Sequence, residues 1–206
     1  MSDFLLLVSA AHGDGWIGRW SPGIGDPTAA GWLATLAYFA TAWCCRAAAL
    51  RIKPAYRITP TVRRERRLWR ALSVLLAALA INKQLDLQSA LTELARMLAR
   101  SGGWYDERRS VQLAFVLAVG IGALAAAALA LWATRRTSPP ARLALAGATA
   151  LLGFIAARAA SFHHVDVAIS QEWLGLRVSS LVELAGIALV FAATRWQQRI
   201  YGARAG

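Results

Sequence analysis

The feature that most constrains this chain is the way its charges fall between its apolar runs. Five runs, at residues 29–50, 68–87, 111–133, 143–162 and 174–194, are uncharged or nearly so. The six polar segments around them alternate between arginine-rich stretches with almost no acid and mixed stretches holding nearly all the acids. A hydrocarbon core about 30 Å thick needs about 20 apolar residues in a helix, and every run meets that length. The runs are continuous rather than alternating, which selects helices over a barrel, because a spanning backbone must satisfy its own hydrogen bonds. The expectation is an all-α integral membrane protein, a compact antiparallel bundle of five transmembrane helices over residues 29–200. An outer N-terminal tail, 1–28, precedes it.

A net charge of +12 raises the question of nucleic acid, since clustered cations favour phosphate backbones. The distribution answers against it. Nine cations lie between Arg46 and Arg70 with the single acid Glu65; Arg135, Arg136 and Arg142 form a second cluster, and Arg195, Arg199 and Arg204 a third. These occupy every second boundary, as cytoplasmic anchors do under the positive-inside rule, and they suit lipid headgroups. The N-terminus is therefore expected outside and the C-terminus inside a bacterial inner membrane. The reverse orientation would put fifteen cations outside instead of eight. Residues 4–11 are apolar but too short to span, and Asp3 replaces the positive start of a secretory signal, so this stretch reads as an exposed tail or interfacial segment. Cys44 and Cys45, adjacent and facing a reducing cytosol, suggest packing rather than a disulfide.

The tail from His12 to Thr28 is rich in turn residues and reads as an ordered loop or strap. Trp32, Trp104 and Trp173 fit an interfacial aromatic belt. In the third run Ala114, Ala118, Gly122, Ala126 and Ala130 recur every four residues, giving a face that lets a neighbouring backbone approach closely. Ala146, Ala150, Gly153 and Ala157 do so less completely in the fourth. From Asn82, the polar residues Asp86, Ser89, Glu93, Arg96 and Arg100 share one helical face opposite Leu87, Leu91, Leu94 and Leu98, which predicts an amphipathic outer helix after the second span.

The outward segments, 1–28, 82–110 and 158–183, hold ten of the eleven acids and all three histidines. Three clusters there could carry chemistry. At the mouth of the second run, Asn82, Lys83, Gln84 and Asp86 exceed what a helix end requires; if helical, Lys83 and Asp86 lie one turn apart and can pair. Trp104, Tyr105, Arg108 and Arg109 could hold an anionic headgroup through the guanidinium fork, against the plain reading of an aromatic belt and a helix start. Third come Arg158, His163, His164, Asp166 and Glu183: histidine serves as base, proton shuttle or metal ligand, and a carboxylate three residues on can orient its ring. With His12 on the same side, His163, His164 and Asp166 could bind zinc or another divalent metal with a position left for water. The plain alternative is a pair of hydrogen-bonding surface histidines. Glu183 lies nine residues into the fifth run, where an acid needs a partner, a cavity or a proton. Arg158 is its expected partner.

The strings 82–88, 103–105 with Arg108 and Arg109, and 161–166 resemble stretches of bacterial multi-pass membrane proteins without an assigned activity. The likeness spans roughly residues 68–185; it implies a recurrent architecture and transfers no activity. The Ser, His and Asp combination is also similar to that of membrane hydrolases of the ceramidase and progestin-receptor-like type. Those use more helices and a further, separated His pair, which this chain lacks, so their residues do not carry over.

The leading expectation is an outward-facing polar cleft that binds a membrane lipid or amphiphile and acts on it by hydrolysis or transfer. His163 or His164 would be base or metal ligand, Asp166 its orienter, and Asp86 or Glu183 the other half of an acid/base pair. Asn82, Lys83, Gln84, Trp104, Tyr105, Arg108, Arg109 and Arg158 would contact the substrate. The alternative is a noncatalytic accessory subunit of a larger membrane complex; the expected partners are membrane lipid and either further copies in a homo-oligomer or a larger membrane complex. A transporter ranks third, because neither inverted repeats nor paired broken helices are visible.

Overall fold

The computed structural model describes residues 15–52, 60–87, 89, 90, 93, 94, 97, 121, 125, 128, 132, 135, 137–159, 172, 173 and 176–203; for 157–159, 172, 173, 176, 177, 202 and 203 it describes the backbone alone. Four long helices dominate: α1, Ala29–Arg51; α2, Pro60–Leu85; α3, Pro139–Ala159; and α4, Val178–Ala203. All four are long and apolar enough to cross a membrane, which marks a multi-pass membrane protein. A two-residue ladder, β1 (Glu172–Trp173) with β2 (Leu176–Arg177), leads into α4. In the remaining predicted span, the third, 111–133, Ile121, Ala125, Ala128 and Trp132 are helical. Its small-residue face, Ala114 to Ala130, lies outside the described residues.

Thr28 starts α1 by accepting the Gly31 N–H on its hydroxyl (3.0 Å), an N-cap of the preferred type. Along α1 the buried residues Gly31, Ala34, Thr35, Tyr38, Thr41, Ala42, Cys45, Ala48 and Ala49 recur every three or four positions. Most are small, so neighbouring backbones come close. Trp43, Leu36, Leu33 and Phe39 face outward, the inside-out pattern of a helix bathed in hydrocarbon. On α2 the buried stripe is Glu65, Trp69, Leu72, Leu76 and Ala80. α1 packs on α2 and α4, and α3 packs on α4. A side chain at Gly186 would meet Leu151 at 2.7 Å, and one at Gly147 would press Val190 and Leu189, so these two glycines set the α3–α4 approach. That differs from the seam expected at Ala146, Ala150 and Gly153: those three are exposed, and the face on α4 uses Ala144, Gly147, Ala148 and Leu151 instead. Small residues occur all round α3, so four-residue spacing alone did not pick the packed face. Cys45 is buried and Cys44 half-buried, both free, as packing residues should be.

Candidate functional site

At one end of the bundle the last turn of α2 meets the first turns of α1 and α4. Lys83, near the C-terminus of α2 where the helix dipole favours a cation, reaches across to two carboxylates. Its Nζ donates to Glu183 Oε2 at 2.9 Å and stands 3.4 Å from Asp26 Oδ2. The Lys83 and Glu183 side chains are 11% and 8% exposed, whereas Asp26 is 30% exposed. The pair thus joins two spans inside the bundle, and Asp26 closes it from the rim.

A continuous chain of hydrogen bonds extends from this junction into α1. Asp26 Oδ1 accepts from the Thr28 hydroxyl (2.6 Å) and backbone N–H (3.3 Å), and the same hydroxyl accepts from Gly31. Gly31 is required here, because any Cβ would run into the Asp26 carboxylate, 2.6 Å from Oδ2. Burial pushes the Asp26 carboxyl up, but the Thr28 hydroxyl and the Lys83 ammonium outweigh it and hold it below its ordinary value. One helical turn deeper, Gln84 Nε2 donates to Thr35 Oγ1 (2.9 Å), which donates in turn to the Gly31 carbonyl (2.9 Å). The Gln84 carbonyl accepts from Gly25 N–H (2.6 Å), fixing the tail on the end of α2.

Among the described residues, two polar atoms in this cluster have no hydrogen-bond partner: Tyr38 Oη and Gln84 Oε1, both buried. Tyr38 is fully buried and its hydroxyl faces Glu183 without reaching hydrogen-bond geometry. Buried polar atoms are nearly always satisfied, so a pair of orphans beside an ion pair calls for an account.

The structure reorders the sequence reading of residues 82–88. α2 ends at Leu85, and Asp86 adopts a left-handed backbone (φ 47°), which aspartate tolerates better than most residues. Asp86 therefore does not pair with Lys83; its Oδ2 accepts from the Ser89 hydroxyl at 2.6 Å, and its carbonyl accepts from Ser89 N–H. The helix resumes beyond this turn at Leu87, Ser89, Ala90, Glu93, Leu94 and Met97, in keeping with the predicted outer helix. The tail turn at Gly18 (φ 57°) sits over Glu93 and Met97. Asn82 is half-buried in the last turn of α2. Glu183 is buried as expected, but its partner is Lys83; the Arg158 side chain lies outside the described residues. So do His12, His163, His164, Asp166, Trp104, Tyr105, Arg108 and Arg109. Among the described residues no group of three His, Cys, Asp or Glu side chains could hold a metal.

Sequence reasoning passed over two residues of this site and one whole cluster. Asp26 and Tyr38 were read as part of a turn-rich tail and an apolar run. At the other end of the bundle, Glu65, the lone acid of the basic stretch, is 4% exposed. Its Oε1 accepts the Ser138 N–H at the start of α3, and its Oε2 accepts from Gln197 Nε2 and the Tyr201 hydroxyl, each at 3.3 Å. Ser138 Oγ closes the ring onto Gln197 Oε1 (3.0 Å). A single acid among nine cations was the available signal.

No family model matches the chain, and comparison with curated proteins and with solved structures gives no match. The resemblance noted at residues 82–88, 103–109 and 161–166 therefore assigns no family, and function must be argued from the geometry.

Proposed function

We propose that this is a bacterial inner-membrane protein, an antiparallel bundle of five spans with its N-terminus outside, whose outward polar cleft binds the headgroup of a lipid or amphiphile. The observation that carries the reading is the pair of buried atoms beside the Lys83–Glu183 pair, Tyr38 Oη and Gln84 Oε1, that have no partner among the described residues. A hydroxyl and an amide oxygen offer one donor and acceptors to a polar ligand, and the ion pair supplies a field that a headgroup would feel in a low-dielectric site. In the catalytic form of the proposal, His163 and His164 act as base or as ligands to a divalent metal with His12 and Asp166, and Glu183 or Asp86 supplies the acid. Trp104, Tyr105, Arg108, Arg109 and Arg158 would contact the amphiphile from the neighbouring outer segments.

The test is Tyr38→Phe. Because the hydroxyl has no hydrogen-bond partner among the described residues and only faces Glu183, its removal should cost little stability while weakening a bound amphiphile about 2- to 12-fold, the value of one net hydrogen bond of about 0.5–1.5 kcal/mol. Native mass spectrometry of the purified protein reads both the retained ligand and its loss. A wild-type protein that retains no amphiphile beyond bulk lipid refutes the binding. Unchanged turnover of a retained amphiphile after alanine replacement of His163, His164 and Asp166 refutes the catalytic form.

One observation favours a second reading. Asp26, Lys83 and Glu183 tie α1, α2 and α4 together, which is what a noncatalytic accessory subunit needs of a polar cluster. Co-purification of a stoichiometric membrane partner, with no metal by elemental analysis, would decide for it.

A further inference from the structure

We propose that a cleft at the opposite end of the bundle from Lys83 binds a phosphoryl group, either of an anionic lipid or of free phosphate. The cleft, about 240 Å³, is lined by Arg51, Arg195, Gln198 and Arg199. Arg51 is the last residue of α1; Arg195 and Arg199 stand one turn apart on α4 and share a face. Gln198, between them, is buried and donates through Nε2 to the Cys44 carbonyl at 3.2 Å, which fastens α4 to α1 beneath the cleft. The two walls are thus held at a set separation rather than carried on loops.

Three guanidiniums line the cleft, with no counter-charge among the described residues. Among the described residues, none of the three is in an ion pair, and no carboxylate lines the cleft. The one acid of the basic region, Glu65, is occupied by Ser138, Gln197 and Tyr201. Like charges one turn apart on a helix repel, so the arrangement is stabilised by an anion. Guanidinium presents a planar fork that matches phosphate oxygens two at a time. A volume below the roughly 300–1,000 Å³ of drug-sized pockets suits a headgroup phosphate rather than a larger solute. Basic pockets between spanning helices are a recognised way of holding acidic headgroups. On the orientation proposed above, this end faces the cytoplasmic leaflet, but the experiment does not depend on that.

The full-length protein, stripped of lipid in a neutral detergent, is titrated with phosphatidylglycerol and with phosphatidylcholine under native mass spectrometry, and separately with inorganic phosphate while its thermal midpoint is followed. The comparison is Arg195→Gln/Arg199→Gln against Arg63→Gln/Arg64→Gln, which removes the same charge from exposed positions on α2 outside the cleft. One tightly held phosphatidylglycerol per chain, preferred over phosphatidylcholine and at least tenfold weaker in the α4 variant alone, establishes the lipid as the source. A midpoint raised by inorganic phosphate with the same variant pattern and no lipid preference assigns the site to free phosphate. Equal weakening in both variants, or a wild-type protein that binds neither ligand, overturns the proposal; the second result holds however the variants fold.

Discussion

Replacement of Lys83 by methionine isolates the energetics of the junction. Methionine keeps the length and apolar stem of the side chain and removes only the ammonium. Glu183 would then sit with its side chain 8% exposed, its charge partner among the described residues gone, facing Tyr38 from α1. Removing one member of a buried ion pair costs about 3–5 kcal/mol, because the other charge is left uncompensated. Asp26 is 30% exposed and keeps its bonds to Thr28, so its share of the loss is that of a surface pair, about 0.2–1 kcal/mol. The expected order of destabilisation is K83M far above D26N. In the double variant K83M/E183L both buried charges are gone, and apolar replacement of a buried pair is commonly neutral or better. Most of the K83M loss should therefore be recovered, with a coupling in the upper part of the about 0.5–3 kcal/mol seen for contacting residues. Reversible unfolding in mixed detergent micelles, followed by tryptophan fluorescence and measured also for E183L alone to close the cycle, gives these values. If K83M costs no more than D26N, the pair is hydrated and the claim of a desolvated tie between α2 and α4 fails.

Three further outcomes follow from the same geometry. Gly31→Ala should cost about 1–3 kcal/mol by overpacking against Asp26, and K83M added to it should cost less than K83M alone, a non-additivity measurable in the same unfolding assay. Glu65→Ala removes the acceptor of three donors at the start of α3 and should lower stability by about 3 kcal/mol or more, whereas Glu65→Gln keeps one acceptor oxygen and should cost less; equal losses would show that the retained acceptor contributes nothing and that the charge or the second oxygen is what the three donors need. Because the Asp26 carboxyl is held below its ordinary value, its contribution is complete above the unfolded value of about 3.9 and is lost as pH falls through the lower folded value. Acid unfolding of D26N should accordingly converge with wild type below that window and diverge above it.

The spanning helices were legible because hydrocarbon imposes a length and composition that no local context can override. Four of the five predicted runs appear as helices at α1, α2, α3 and α4. Their ends were less legible, since a helix end depends on capping partners distant in sequence. α2 starts eight residues before its apolar run, at Pro60, because Glu65, Trp69 and Leu72 pack inward while exposed arginines take the other face. It stops at Leu85, where the apolar count ran on to 87, because Asp86 turns left-handed and binds Ser89.

The junction itself divides along the same line. Glu183 could be flagged from the sequence, since an acid within an apolar run needs compensation, but its partner could not be chosen. Arg158 and Lys83 both lay near the mouths of their predicted helices, and hydropathy contains no information on which helices are neighbours. The 2.9 Å ion pair between Lys83 and Glu183 settles it for Lys83, and the choice has a physical consequence. An ammonium on a flexible stem can bridge two carboxylates at once, Asp26 and Glu183, from the end of its own helix. Asp26 is brought within reach only because Gly25 lies against the end of α2 and Gly31 leaves room for the carboxylate. Both glycines fall where an apolar scan sees only turn composition and a helix start. What looked like the polar fringe of three separate spans is one network, and Tyr38 Oη and Gln84 Oε1 are its two buried atoms without a partner among the described residues.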